Sequence, residues 1–365
     1  MRCSGIGVLL CCAVIVLVSG GILSSCELGE TVYGAVFMTD SINGRVYTYD
    51  PYTQTPSSLA LFTTNEGASD RIYFHGDIGY IATGKSFSNQ NPGVYRFDPD
   101  AATIVPELIG ASISAQYIAF FGDTRAYVTD VDFFGGTTGI YTFDPSNPAG
   151  LTGPIDSGDI NGAAAGMGLQ DIAVQNGKVY AADTKNGQVL VIDPATDQLV
   201  GTIDASSFGT TGLLPVTGSS GKELLYVVNN GLDSSWTQHP GSIDVIDTDT
   251  DILTQAVVNI YASLAAYHAP SRTIYAIGFS NTYRIRVEGA APFSFTEMKD
   301  GGGASFGGSS ISVDGDLLYI TNTNFGSNTS LLFVYDAESG EPMDYSPVSV
   351  GRDGEDAITG LAVRP

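Results

Sequence analysis

Short apolar runs recur along this chain from residue 32 onward, each bounded by Asp, Asn, Gly or Pro. Inside the runs polar and apolar positions alternate, as in RVYTYDP (45–51), which is the two-residue period of a β-strand and not that of a helix. The runs also come in pairs. TDSINGRVYTYDP (39–51) returns in outline as ADTKNGQVLVIDP (182–194). In both copies a strand ends on Asp, a loop closes on Asn-Gly, and a second strand ends on Asp-Pro. Gly44 and Gly187 are placed to supply the positive φ of a tight hairpin. The closing Asp can accept a hydrogen bond from the backbone two residues on, while Pro presets φ for the next turn position.

The same hairpin is written elsewhere. Further second strands read GVYRFDP (93–99), GIYTFDP (139–145), SIDVIDT (242–248) and LLFVYDA (331–337). First strands read AVFMTD (35–40), YIATG (80–84), YVTD (127–130), YAAD (180–183), YVVN (226–229) and YITN (319–322). A degraded copy has YAIG (275–278), followed by TYRIRVEGAAP without the closing Asp. The residues ending the first strands are Asp40, Gly84, Asp130, Asp183, Asn229, Gly278 and Asn322, separated by 44 to 53 residues. A strand precedes each tyrosine, as in QYIAFF (116–121) and QDIAVQ (170–175), and another follows the Asp-Pro turn, as in QLVGTI (198–203).

Four short strands per unit at this period predict an all-β fold, a seven-bladed β-propeller of four-stranded antiparallel blades. The first unit begins near Val32 with its second strand, so its inner strand is missing. AITGLAVRP (357–365) follows the last outer strand and reads as an inner strand without a blade. The C-terminal strand is therefore expected to join the first blade, closing the ring and removing the free sheet edges. The domain spans 32–365, its core a series of blade-to-blade interfaces. The sixth unit departs furthest from the pattern.

YVTD, YVVN and YITN, each followed by a loop, an apolar strand and an Asp turn, resemble the YVTN-type propeller repeats of microbial surface-layer and periplasmic proteins. The resemblance covers most of the chain after the N-terminal segment. It implies the propeller fold, and it leaves function open between surface proteins, periplasmic binding proteins and enzymes on similar propellers.

The four cysteines, Cys3, Cys11, Cys12 and Cys26, all fall in the first 26 residues. That segment carries one Arg, an apolar run from Ile6 to Val18, and then small residues, the pattern of a secretory signal. Leu23-Ser24-Ser25-Cys26 resembles a bacterial lipobox, which implies a signal peptide over 1–25, lipidation of Cys26 and a short linker over 26–31. An uncleaved membrane anchor is the competing reading. Glu27, where inner-membrane lipoproteins carry Asp, leans toward the outer membrane or cell surface. With the signal removed, no thiol remains for a disulfide or a cysteine nucleophile.

Composition narrows the partners. The chain has 365 residues with 39 Asp and Glu against 15 Lys and Arg, a net charge of −24. Such a surface disfavours nucleic acid and anionic membranes, leaving the lipid as the sole membrane contact. A monomer is expected.

Loops from second to third strands share one face with the entries to the inner strands, at the mouth of the channel. Blades one and four have minimal loops there. Longer ones are KSFSNQNPG (85–93), VDFFGGTTG (131–139), GLDSSWTQHPG (231–241) and TNFGSNTS (323–330). They carry Phe87, Phe133, Phe134, Trp236, His239 and Phe325, which predict a recognition surface on a rigid scaffold. Asp70, Gln116, Gln170 and Asp171 fall at inner-strand starts beside the same mouth. The leading expectation is a binding or scaffold protein for a protein, peptide or glycan partner of the cell envelope.

The alternative is a metal-dependent hydrolase or lactonase, with Asp40, Asp130 and Asp183 ringing a hard cation such as Ca²⁺. The competing use of these carboxylates is to cap the turn that follows each strand. Asp247-x-Asp249-x-Asp251 lacks the Gly and Glu of a calcium loop and occupies the slot of a turn. His75 and His268 fall opposite the mouth, so the three histidines do not converge. GGGASFGGSS (301–310) lacks the Lys-Ser/Thr ending of a phosphate loop.

Overall fold

The computed structural model describes residues 35–364 apart from 65–68, 85–91, 112, 132–137, 157–159, 161–167, 219 and 288–290. Cys26, Phe87, Phe133 and Phe134 lie outside the described residues, as does the side chain of Asp70. Among the described residues the elements with assigned bounds are β-strands, arranged in seven sheets. Each sheet runs from an inner strand at the channel to an outer strand at the rim, every neighbour antiparallel. This is the seven-bladed propeller that the repeats predict.

The fourth blade shows the plan, with β12 (Leu169–Gln175), β13 (Lys178–Asp183), β14 (Gln188–Asp193) and β15 (Gln198–Asp204) in order. Burial is greatest in the middle strands β13 and β14 and falls to an outer strand whose residues alternate between exposed and half-buried. Two blades vary the plan. In the third, residues 152–155 take the outer place, with Thr142 and Thr152 exchanging backbone hydrogen bonds of 2.8 Å. In the first, the outer place is split between β3 (Thr55–Pro56) and β4 (Phe62–Thr63). The sixth blade is complete despite its degraded repeat, with β20 (Leu264–His268), β21 (Thr273–Ile277), β22 (Thr282–Arg286) and β23 (Phe295–Glu297).

Closure runs as the missing strand implied. β1 (Val36–Asp40) pairs with β28 (Ile358–Val363), Val36 opposite Val363 and Met38 opposite Leu361. Asp356, buried just before β28, accepts from the Tyr47 hydroxyl at 2.6 Å and pairs with Arg45. Both of those residues stand at the start of β2 (Arg45–Asp50).

The closing Asp of each hairpin caps its turn. Asp50, Asp98, Asp144, Asp193, Asp247 and Asp336 each accept from the backbone N–H two residues on, at 2.8 to 3.2 Å. The repeated tyrosine then joins blade to blade. Tyr127 and Tyr180 donate to Asp197 and Asp251, at 3.1 and 3.0 Å, in the turns of the following blades. Tyr80 and Tyr275 donate to the carbonyls of Pro145 and Ala337, at 3.3 and 2.9 Å. Tyr226 faces the blade without a closing Asp and packs into an apolar cluster with Val228, Ile274 and Tyr283. Tyr319 is the exception, its buried hydroxyl having no hydrogen-bond partner among the described residues.

Tyr180 and Tyr319 therefore make a matched test. Tyr180→Phe removes a hydrogen bond to a carboxylate and should cost about 1–2 kcal/mol in urea unfolding. Tyr319→Phe removes a polar atom that has no partner and should be neutral or stabilising. Equal losses in the two variants would show that packing, not the staple, is what the hydroxyls report.

Candidate functional site

The ladder between inner and second strands is interrupted near the mouth in five blades. Register shifts fall between Ser69 and Arg71, between Val128 and Asp130, between Leu169 and Ile172, between Thr210 and Gly212, and between Thr39 and Asp40. A bulge of this kind strengthens the local twist and re-aims side chains. It also frees backbone groups from the ladder, which side chains then satisfy. Thr129 accepts from the Tyr117 N–H at 3.2 Å and donates to the Gln170 carbonyl of the next blade at 3.0 Å. Asp171 accepts from Ile172 N–H and from Leu213 N–H of the next blade, both at 2.8 Å. The inner strands of the sixth and seventh blades pair without a shift.

Inside this ring lies a cavity of about 630 Å³, open on the mouth face. Its floor includes Arg71, Tyr117 and Gln170, and its wall is partly apolar through Leu232, Leu264 and Ile277. Lys185, from the short loop between β13 and β14, and Phe279, from the loop after β21, stand at the rim. A second chamber of about 370 Å³ continues below and shares Arg71 and Tyr117 with the first. Arg71 divides the two. Its guanidinium donates to the carbonyls of Ser309 at 3.1 Å and Thr359 at 3.4 Å, and lies 5.2 Å from the centre of the Tyr117 ring. One side chain from the second blade thus reaches residues of the seventh, first and third.

The loop carrying Trp236 joins β17 (Glu223–Asn229) to β18 (Ser242–Asp247). Asp233 organises it, accepting from the N–H groups of Ser235 and Thr237 at 2.9 and 2.8 Å and from His239 Nε2 at 2.9 Å. That bond to His239 and the backbone donors hold the Asp233 carboxyl below its ordinary pKa. The turn sets Trp236 at φ 63°, a left-handed backbone that glycine ordinarily fills and that costs another residue roughly 1–2 kcal/mol. Trp236 is 65% exposed, and Phe279 across the cavity is 94% exposed.

The predicted residues fall into distinct places. Trp236 lines the cavity, as does Gln170. His239 stands behind the rim with its ring 4.8 Å from that of Phe208. Phe325 is 58% exposed at the tip of its own loop. Gln116 is buried at the bulge of the third blade. Asp171 lines the lower chamber. Asp70 lies at its bulge on β5 (Ser69–His75).

The three carboxylates considered for a cation cap turns and strand starts. Asp40 accepts from the N–H groups of Ile42, Asn43 and Ala357 at 2.9 to 3.0 Å. Asp130 accepts from Ser114 N–H at 2.8 Å, and Asp183 from Asn186 and Gln188. Among the described residues no three His, Cys, Asp or Glu side chains group closely enough to hold a metal ion. Asp247, Asp249 and Asp251 form a turn, with Asp251 paired to Lys178 of the preceding blade. Sequence reasoning missed Arg71, Lys185 and Phe279.

Asp171 has an unusual environment. Burial pushes its carboxyl up from 3.8 to about 6, against the two backbone N–H bonds and the Arg71 charge. It is half-buried by exposure because it fronts the channel, yet protein surrounds it otherwise. A raised acid favours the fold when protonated, so its contribution is complete below about pH 4 and is lost as pH rises through about 6. Asp171→Asn cannot ionise. Its melting temperature should gain on that of the native chain across this interval, and a constant difference would show that Asp171 keeps an ordinary pKa.

No family model matches the chain, and no curated protein matches it in sequence. Solved structures resemble it along most of its length. A functionally unknown protein from Desulfotomaculum acetoxidans is 13% identical with a TM-score of 0.63, over 90% of this chain and 98% of that one. A proposed 6-phosphogluconolactonase from Bacteroides fragilis is 14% identical with a TM-score of 0.62, over 91% of this chain and 98% of that one. At such identities the likeness shows the fold, the seven-bladed propeller, and carries no activity with it.

Proposed function

We propose that this chain is a binding protein that takes a peptide, protein or glycan partner of the cell envelope into the mouth of its propeller. The observation that carries the proposal is the exposed pair, Trp236 and Phe279, standing at a preformed cavity. Exposed aromatics cost a folded protein solubility, and a strained backbone at one of them costs stability. Both are explained if the rings are held ready for a partner, because a rigid ring loses little entropy on binding. The hydrolase reading has less behind it. Asp40, Asp130 and Asp183 are engaged with backbone and amide donors, and of the candidate carboxylates whose side chains are described Asp171 alone lines the channel.

In this reading the chain is an exported lipoprotein of the YVTN type, lipidated on Cys26 and held near the outer membrane or cell surface. The apolar N-terminal run and its Ser-Ser-Cys ending support the anchor. Cys26→Ser should release the protein from the membrane fraction, measured by partition into detergent. Retention of the variant in that fraction would remove the lipid anchor.

Trp236 is the sole tryptophan, so its fluorescence reports on the cavity alone. Capture from an envelope extract by the full chain should enrich a partner that shifts this emission. Trp236→Ala with Phe279→Ala should lose at least about tenfold in affinity, the scale of a binding hot spot. Capture unchanged by the double variant would remove the mouth-face reading.

A further inference from the structure

The polar groups that line the mouth cavity divide by charge. Among the described lining residues the charged side chains are Arg71, Lys185 and Asp233, and each is already engaged within the protein. The neutral ones differ. Gln170 on β12, Asn230 after β17, Ser263 before β20 and Ser309 before β24 (Ser310–Asp314) come one from each of blades four to seven. The main-chain carbonyls of Gln170, Ser263 and Ser309 accept from Thr129, Thr211 and Arg71, and Asn230 Oδ1 accepts from the Leu232 N–H. Yet the Gln170 carboxamide, the Asn230 Nδ2 group and the Ser263 and Ser309 hydroxyls have no hydrogen-bond partner among the described residues. All four residues are half-buried. Polar groups so placed are satisfied by water or by a ligand.

The exposed rings belong to the same arc, Trp236 to blade five and Phe279 to blade six. Two aromatic faces thus stand beside hydroxyls and a carboxamide that both donate and accept. A pyranose ring has the complementary surface. Its apolar C–H faces lie flat on an aromatic ring, and its rim of hydroxyls donates and accepts in turn. A peptide main chain instead alternates fixed donors with fixed acceptors and is ordinarily taken up along a strand edge. The net charge of −24 works against an anionic sugar chain. The cavity of about 630 Å³ falls within the ~300–1,000 Å³ of small-ligand sites and suits about two or three sugar rings. From this arrangement we infer that the mouth cavity binds a short neutral oligosaccharide, its ring faces on Trp236 and Phe279 and its hydroxyls on Gln170, Asn230, Ser263 and Ser309. The inference rests on the mouth-face reading and narrows it to a glycan.

The test titrates the full chain with three neutral trisaccharides (chitotriose, cellotriose and mannotriose), with trigalacturonic acid as an anionic counterpart, and with acetyl-Gly-Ala-Leu-Phe amide as a peptide. Trp236 fluorescence and calorimetry read the binding. At least one neutral trisaccharide should bind and shift the emission, with an affinity that does not change as salt rises. Gln170→Leu keeps the tryptophan and the side-chain bulk, and should weaken that sugar about fivefold while the urea midpoint stays where it was. Trp236→Ala with Phe279→Ala, read by calorimetry, should weaken it at least about tenfold. Tighter binding of trigalacturonic acid than of every neutral sugar overturns the inference, as does binding of the peptide alone, and both leave the mouth-face reading intact. Binding of no sugar also overturns it, and the mouth-face reading then stands or falls on the capture experiment with the aromatic variants. Sugar binding that the aromatic double variant leaves unchanged overturns both. Because the ligands are compared on the native chain, the choice among them holds whether or not a variant folds.

Discussion

The ring depends on one seam, the pairing of Val36–Asp40 with Ile358–Val363. Every other blade is built from consecutive chain, so its hairpins form locally. The first blade must bring together segments more than 300 residues apart, as the Asp40 bond to the Ala357 N–H shows by its separation of 317. The seam is reinforced where a slip would matter. Asp356 gathers Arg45 and Tyr47, and Asp40 takes the first amide of the returning segment. Without the seam, β1 and β24 (Ser310–Asp314) would border an open gap, and Arg71 would lose the Thr359 carbonyl that helps to hold it across the channel.

Blade-to-blade contact is where sequence repetition becomes structure. In four blades a tyrosine near the start of the second strand and the turn of the next blade form one staple, Tyr127 and Tyr180 through a carboxylate and Tyr80 and Tyr275 through a backbone carbonyl. The staple leaves the opposite ends of the strands free to vary, since it lies on the face away from the mouth. Bulges at the inner-strand entries then turn a regular ring of β-strands into a chamber with distinct floor residues. Because each bulge adds a residue to one strand, it breaks the alternation that would otherwise send that residue into a blade interface.

This explains what the sequence discloses and what it conceals. Tyr80, Tyr127, Tyr180 and the Asp turns are legible because each performs the same local task several times, and repetition makes a pattern. The seam is legible from a count of strands, one missing at the start and one surplus at the end. Arg71 is not legible, because strict alternation along β5 assigns its direction without the bulge. Phe279 is hidden for another reason. It follows Gly278 in a short loop of the least regular repeat, where an aromatic reads as one more departure from pattern. Asp40, Asp130 and Asp183 were visible, but their side chains serve turns. A recurrent carboxylate on a repeat protein first reports a recurrent backbone need.

Trp236 shows how the rigid and the strained parts fit together. Its left-handed backbone is tolerable because Asp233, His239 and Gln238 over-determine the loop, with Gln238 bonding the carbonyls of Asn230 and His239. The loop is in turn mounted on β17 and β18, whose buried Asn229, Ser242 and Asp244 hydrogen-bond one another at the loop's base. Strain at the tip is thus carried by a polar knot that the blade itself supports. A mobile loop would hide its tryptophan against the nearest apolar surface. A loop braced in this way keeps the ring at the cavity, and under the proposed binding role that fixed exposure is what would let the site select.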